Sequence, residues 1–208
     1  GQLHATGDDT VVATRALYGI WDTVTVGGTS TTASARVTDA GTVVPQALTT
    51  SALTGTTGGT FYGLTVTPVD YATKRGWRLP LSIGSGQRLV DDPEMASGLV
   101  FMQSITPSVA LASCTSSNVA RYGFLLDPFM KAIEQPIFDT NADTLFTSLD
   151  GLTASAVLLT GNGPATVVRR TGDNKTVILQ TGAPPVTTQS NRNITKRYWR
   201  QIIMQPGT

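Results

Sequence analysis

Apolar and polar residues alternate along much of the chain, and the period of two predicts strands. In residues 15–22, Leu17, Gly19 and Trp21 fall on one side and Tyr18, Ile20 and Asp22 on the other. This reads as a buried strand whose aromatics, Tyr18 and Trp21, pack. Val24 and Val26 fit a further alternating strand, and residues 45–49 another. Residues 49–60 read as a loop, punctuated by Gly58-Gly59. From Phe61 to Val69 the alternation returns, with Phe61, Gly63, Thr65 and Thr67 opposed to Tyr62, Leu64, Val66 and Pro68. Residues 61–128 are expected to hold four or five strands, with Pro80, Pro93 and Pro107 at strand starts or ends, where a missing N–H is tolerated. Residues 129–135 fit a short helix or a turn. Residues 154–159 and 166–170 are expected strands around Gly161-Asn162-Gly163-Pro164. Gly172-Asp173-Asn174 is a hairpin turn into residues 175–180, and residues 196–204 form the last strand.

Strands and turns at intervals of roughly 8–12 residues imply an all-β fold. The composition agrees: 21 glycines and an excess of Thr, Ser and Val favour strands and turns over helices. The 208 residues suffice for one compact domain with a core. The net charge of +1 excludes a global field that attracts nucleic acid or an acidic membrane. The apolar runs are far shorter than a transmembrane segment. A single cysteine makes no internal disulfide and leaves the redox compartment open. The low charge, 14%, and the Thr/Ser/Gly-rich surface suit an exported protein.

One stretch carries candidate chemistry. Asp139, Asn141, Asp143 and Asp150 fall at positions 1, 3, 5 and 12 of an EF-hand-like loop. Calcium takes roughly six to eight oxygen ligands, and alternate residues of a curled loop can offer them. Leu145 would add a backbone carbonyl at position 7, and Thr147 an oxygen or a bound water at position 9. Thr144 stands where the sharp turn calls for glycine, and the closing acid is Asp, with shorter reach than Glu. A solvated turn whose side chains cap backbone N–H groups fits the same spacing.

The remaining constellations favour no enzyme. Asp91-Asp92 precedes Pro93 at a strand boundary and reads as a turn cap, as does Asp8-Asp9. His4 is the sole histidine, so a Ser-His-Asp triad would have to use it, and multi-histidine metal sites are excluded. Cys114 lies among Ser and Thr, not in a basic pocket that would activate a thiolate. Gly161-Asn162-Gly163 lacks the Lys-Ser and the helix of a phosphate-binding loop. Arg192, Lys196, Arg197 and Arg200, interleaved with Tyr198 and Trp199, read as the charged edge of a terminal strand in preference to a nucleic-acid groove. The sequons at Asn174 and Asn193 are read as chance matches.

The order of segments from Asp70 to Asp150 resembles the C-terminal β-propeller of PilY/PilC-type proteins, tip-associated adhesins and assembly factors of bacterial type IV pili. The residues concerned are Lys74-Arg75-Gly76-Trp77 running into Leu79-Pro80-Leu81, then Gly86-Gln87-Arg88 ahead of Pro93. Val100 and Phe101 follow, then Pro107-Ser108, Cys114, Gly123 with Leu126-Asp127, and Phe138-Asp139 with Asn141 and Asp143. Leu17-Tyr18 with Ile20-Trp21-Asp22, the segment around Gln46 and the final strand with Trp199-Arg200 extend the likeness over nearly the whole chain.

The resemblance implies the C-terminal part of a propeller built of several four-stranded antiparallel blades. At four strands per blade the chain supplies roughly four blades, so it is expected to be incomplete on its own, with the upstream region of a parent protein absent. It implies a non-enzymatic component of the pilus tip, supporting pilus biogenesis and surface adhesion and modulated by calcium at residues 139–150. It implies an extracellular or cell-surface location, with minor pilins or other tip components, a host or abiotic surface receptor and the rest of the parent as partners. In a relative, Cys114 would pair with a cysteine outside this chain. Two other classes fit parts of the pattern: a quinoprotein-like propeller enzyme, from the strand ending in Leu126-Asp127, and a viral or appendage structural protein, from the Thr/Gly-rich all-β composition.

Overall fold

The chain is seen in a computed structural model that describes residues 14–21, 39–89, 91–106, 119–131, 134–170 and 175–189. His4, Asp8-Asp9, the strand expected at Val24 and Val26, Cys114, the turn at residues 172–174, the Asn193 sequon, and the last strand with its basic and aromatic residues lie outside the described residues.

The fold is all-β. In chain order the elements are β1 (Ala16–Ile20), a four-residue helical turn α1 (Asp39–Thr42), β2 (Val43–Pro45), β3 (Ala47–Leu48), β4 (Phe61–Thr65), β5 (Gly76–Pro80), β6 (Arg88–Leu89), β7 (Glu94–Ala96), β8 (Leu99–Thr106), β9 (Ala120–Leu126), β10 (Ala154–Leu159), β11 (Asn162–Arg169), β12 (Thr176–Thr181) and β13 (Val186–Thr188). They form three sheets. The first is β1-β5-β2, with β2 parallel to β5; the central one runs β3-β4-β10-β9-β8, and the third is β11-β12-β13. The far edge of β8 is shared: β7 pairs with its beginning and β6 with its end, opposite Ser104 and Ile105. Pro93, which has no N–H to donate, stands between those two short strands.

The central sheet is buried on both faces, and β9 shows why. Residues 122–126, Tyr-Gly-Phe-Leu-Leu, are all buried. Tyr122, Phe124 and Leu126 pack with Leu17, Trp77 and Leu79 of the first sheet. Leu125 points the other way and packs with Phe101, Val157 and Ile178, the last from the third sheet. A strand covered on both faces reads as a continuous apolar run instead of an alternating one. The three sheets are therefore stacked, with one hydrophobic layer in each interval.

Two glycines are required by close approach. A Cβ on Gly76 (φ 149°) would lie 1.9 Å from the Gly19 carbonyl oxygen, and one on Gly19 would lie 2.2 Å from the Trp77 ring. The β1–β5 pair can close only where both side chains are missing.

Buried glutamine amides hold segments together that strand pairing leaves open. Gln46 lies between β2 and β3, where the chain leaves the first sheet for the central one. Its Nε2 donates to the Thr67 carbonyl at 2.9 Å and its Oε1 accepts the Thr67 N–H at 2.8 Å. Gln103 of β8 does the same toward β11: Nε2 donates to the Ala165 carbonyl at 2.6 Å and Oε1 accepts the Ala165 N–H at 2.7 Å. Each side chain supplies both a donor and an acceptor to the backbone of one distant residue.

Several expectations change. Tyr18 and Trp21 are not buried: they are 48% and 45% exposed, and Trp21 packs at the surface on Tyr71 and Phe129, 5.8 and 6.2 Å between ring centres. The strand expected over residues 45–49 breaks at Gln46 into two strands of different sheets. Phe129 and Met130 form a turn, with Asp127 Oδ1 accepting the Phe129 N–H and the Asp127 carbonyl accepting the Met130 N–H; Ala132 and Ile133 lie outside the described residues. Strand β10 matches the expected residues 154–159, whereas β11 starts earlier than expected, at Asn162, through a bulge at Gly163 (φ 74°).

Candidate functional site

The acidic loop links β9 to β10, and its entry is anchored before the first carboxylate appears. Ile137 and Phe138 are buried, and the Phe138 ring meets Phe61 at 5.3 Å. Phe138 bridges Thr188 of β13 in antiparallel fashion, flanked by hydrogen bonds from Asp139 N–H to the Thr187 carbonyl (3.2 Å) and from Gln189 N–H to the Ile137 carbonyl (2.9 Å). The chain thus enters the loop as a short addition to the third sheet.

Within the loop the side chains fold onto the backbone. Asp139 is 5% exposed; its Oδ2 accepts the Thr144 N–H at 2.9 Å, and its Oδ1 is buried with no hydrogen-bond partner. Asn141 Oδ1 accepts the Asp143 N–H at 3.0 Å, Asp143 Oδ1 accepts the Leu145 N–H at 2.8 Å, and Asn141 Nδ2 donates to Asp143 Oδ2 at 3.0 Å. Thr147 Oγ1 accepts the Leu149 N–H. Ala142 and Thr144 adopt left-handed φ angles of 62° and 67°. Thr144 therefore makes the sharp turn that its side chain disfavours. The Asp139 carboxylate gripping its N–H offsets part of the cost, which is about 1–2 kcal/mol for a residue with a Cβ.

Asp150 closes the loop from beneath, 3% exposed. Its Oδ1 accepts the Thr140 N–H at 2.7 Å and the Thr140 hydroxyl at 3.3 Å, and its Oδ2 accepts the Thr147 N–H at 3.0 Å. Both of its oxygens thus serve as a staple across the loop. Among the described residues no group of three or more His, Cys, Asp or Glu side chains converges to hold a metal ion. Of the six sequence-predicted positions, Asp139 and Asp150 are buried, Asn141 and Asp143 are hydrogen-bonded to each other, Thr147 is tied to Asp150 and Leu145 is exposed.

The fit of a cation turns on Asp139 Oδ1. A buried carboxylate oxygen without a donor is costly unless a positive charge completes it. The candidate ligands are oxygens, and Asp139 and Asp143 bring two carboxylates, the ligand chemistry of a hard divalent cation. A cation at Asp139 would gain Asn141 and Asp143 if these turned from each other toward it.

Residues the sequence pattern did not single out support the loop. The Thr140 carbonyl accepts the N–H groups of Thr57 and Gly58, both at 2.9 Å, and the Thr57 hydroxyl donates to the Asn141 carbonyl at 2.6 Å. A Cβ on Gly58 would lie 2.8 Å from the Asp139 carbonyl oxygen, so the Gly58-Gly59 pair was a signal for this close approach. Lys175, ahead of β12, donates to the Thr144 carbonyl, with its ammonium 6.0 Å from the Phe146 ring centre.

Elsewhere, Asp91 faces Arg121, 3.6 Å apart, as an ion pair across the sheet edge. An apolar cavity of about 550 Å³ beside β1 is lined by Trp21, Trp77, Met102 and Phe129, and its titratable lining residues are Tyr18 and Tyr71. Burial, with a smaller contribution from Asp127, raises the Tyr71 hydroxyl above its ordinary range, and that hydroxyl donates to the Phe129 carbonyl at 3.2 Å.

No family model, curated protein or solved structure matches the chain. Fold and site define its class at one level: an all-β chain of stacked sheets carrying an oxygen-rich acidic loop whose first and last carboxylates are buried.

Proposed function

We propose that this chain is a non-enzymatic, calcium-modulated part of the C-terminal propeller of a type IV pilus tip-associated adhesin and biogenesis protein. The observation that carries the calcium reading is the buried, unpartnered Oδ1 of Asp139 at the first position of the loop. The family reading rests on the motif order, and the placement of those motifs supports it. Gly76-Trp77 lies in β5, Gln87-Arg88 at β6, Val100-Phe101 in β8 and Gly123 to Leu126 in β9. Three sheets stacked face to face are compatible with successive blades, and the Phe138–Thr188 bridge adds a short fourth member to the three strands of the third sheet. The sheets contain seven, three and three strands, so a uniform four-stranded blade is the finer part of the proposal.

Calcium would be held by Asp139, Asn141 and Asp143, with the Leu145 carbonyl and Thr147 on the outer limb, while Asp150 keeps the loop closed. The ion would supply the positive charge that the buried, unpartnered Asp139 oxygen lacks. Because the loop is tied to the third sheet at Phe138 and Lys175 and to residues 57–58, occupancy would stiffen a surface contributed by three segments. That surface, in the parent protein at the cell exterior, would meet minor pilins, other tip components or an adhesion receptor.

Titration calorimetry with calcium on the natural sequence and the Asp139→Ala variant tests this. Binding by the first and its loss in the second is expected. Equal binding by both, or none by the natural sequence at millimolar calcium, would reduce residues 139–150 to a hydrogen-bonded turn. Capture of purified minor pilin ectodomains that responds to calcium would test the pilus partner separately.

A further inference from the structure

Thr144 is held from two sides. Its N–H is donated to Asp139, and its carbonyl accepts the ammonium of Lys175, which reaches in from the start of β12. The backbone of a single residue thus links a carboxylate with a buried, unpartnered oxygen to a positive charge. Lys175 is half-buried and its ammonium also lies over Phe146, a residue of the same loop. The lysine is therefore directed at the acidic loop by two contacts, from the position just ahead of β12.

We infer that Lys175 is the affinity-setting residue of the loop: its ammonium is a resident counter-charge that a divalent cation must work against. This rests on the calcium reading given above. The unpartnered Asp139 oxygen marks where a cation would sit, and Lys175 occupies the outer side of the same turn. With the cation absent, Lys175 places a positive charge on the acidic loop and ties down the carbonyl of Thr144 in its left-handed turn. With a divalent ion present, the ammonium becomes a like charge on the same turn, and salt screens the repulsion the less the closer the two charges lie. The result is a loop that stays folded without metal and binds calcium weakly, responding to the high calcium of an exterior medium and not to traces. Because Lys175 immediately precedes β12, its release from Thr144 on ion binding would reach the third sheet.

Calorimetry with calcium chloride on the full chain decides it, with four variants compared. Lys175→Met and Lys175→Gln remove the charge and are expected to bind calcium about tenfold more tightly. Lys175→Arg keeps the charge and should stay within about twofold of the natural sequence. Lys74→Met is the matched control: Lys74 also donates to a backbone carbonyl, that of Gly41, but beside the first sheet, and its loss should leave calcium affinity unchanged. Far-UV circular dichroism confirms that each variant keeps its β spectrum, and two neutral variants guard against one failing to fold. Unchanged or weaker binding in the neutral Lys175 variants, with the natural sequence binding calcium, overturns the inference and leaves the calcium reading standing. Equal tightening in Lys74→Met would make the effect one of net charge and likewise overturn it. No binding by any variant at millimolar calcium removes both.

Discussion

The two oxygens of Asp139 differ in their surroundings: Oδ2 accepts the amide hydrogen of Thr144 at 2.9 Å, whereas Oδ1, buried beside it, meets no donor. The first oxygen shapes the turn, and the second is the one the calcium proposal assigns to the ion. Asp150, at the far end of the loop, contrasts with it, since both of its oxygens are committed to backbone or hydroxyl hydrogens.

That contrast separates the two acids experimentally. Replacing Asp150 by Ala leaves the buried Thr140 N–H and the Thr147 N–H without their charged acceptor. It should cost about 2–3 kcal/mol of stability in the presence of a chelator. Asp139→Asn, which removes charge with little change of shape, should cost less than half as much under the same conditions while abolishing calcium binding. Urea unfolding with and without chelator checks both.

Thr144→Gly should stabilise the chain. The residue sits at φ 67° with an exposed side chain, so glycine removes a left-handed penalty of about 1 kcal/mol at no loss of packing. Calcium affinity should rise with it, because the turn no longer opposes the loop. A higher urea midpoint at an unchanged slope is the expected result.

Gln103→Leu should destabilise strongly. The leucine fills a similar volume but strands the N–H and the carbonyl of Ala165, both previously paired with the glutamine amide. Two buried unsatisfied groups at roughly 1–3 kcal/mol each predict a loss of about 3 kcal/mol. Hydrogen exchange at the Ala165 amide should accelerate before that of the central strands, since the clamp joins the central sheet to the third.

Alkaline stability should depend on Tyr122. Burial raises its hydroxyl above the ordinary value of 10.0, with a further contribution from the neighbouring Tyr62. A raised folded-state value means that the neutral form is the one the fold favours. Its contribution is fully present below pH 10 and is lost as the pH climbs from there through the folded value. Tyr122→Phe should flatten the alkaline limb of a stability-against-pH curve while leaving its shape near neutrality unchanged.

Much of the strand content was legible in the sequence because side-chain direction alternates along a strand whatever it pairs with. The period in residues 61–69 and the apolar run of residues 154–159 led to β4 and β10, and Pro80 and Pro93 lie at strand ends because their missing N–H is tolerated there. The spacing of Asp139, Asn141, Asp143 and Asp150 marked a continuous loop for the same reason: it depends on residues close in sequence. Tyr18 and Trp21 were misjudged because exposure depends on what covers a face, and alternation says only that a face exists.

Tertiary structure alone decided the rest. Strand β4 pairs with β10 across some ninety positions of chain, Gln46 and Gln103 find single backbone residues on distant segments, and Gly19 makes room for the Trp77 ring. Above all, it assigned the loop acids their tasks, engaging Asp150 with Thr140 and Thr147, leaving one oxygen of Asp139 bare, and bringing Lys175 to Thr144. Local spacing determines which oxygens a loop can present. Which of them are already satisfied, and which charge stands opposite, depends on segments far apart in the chain that meet only once the sheets have stacked.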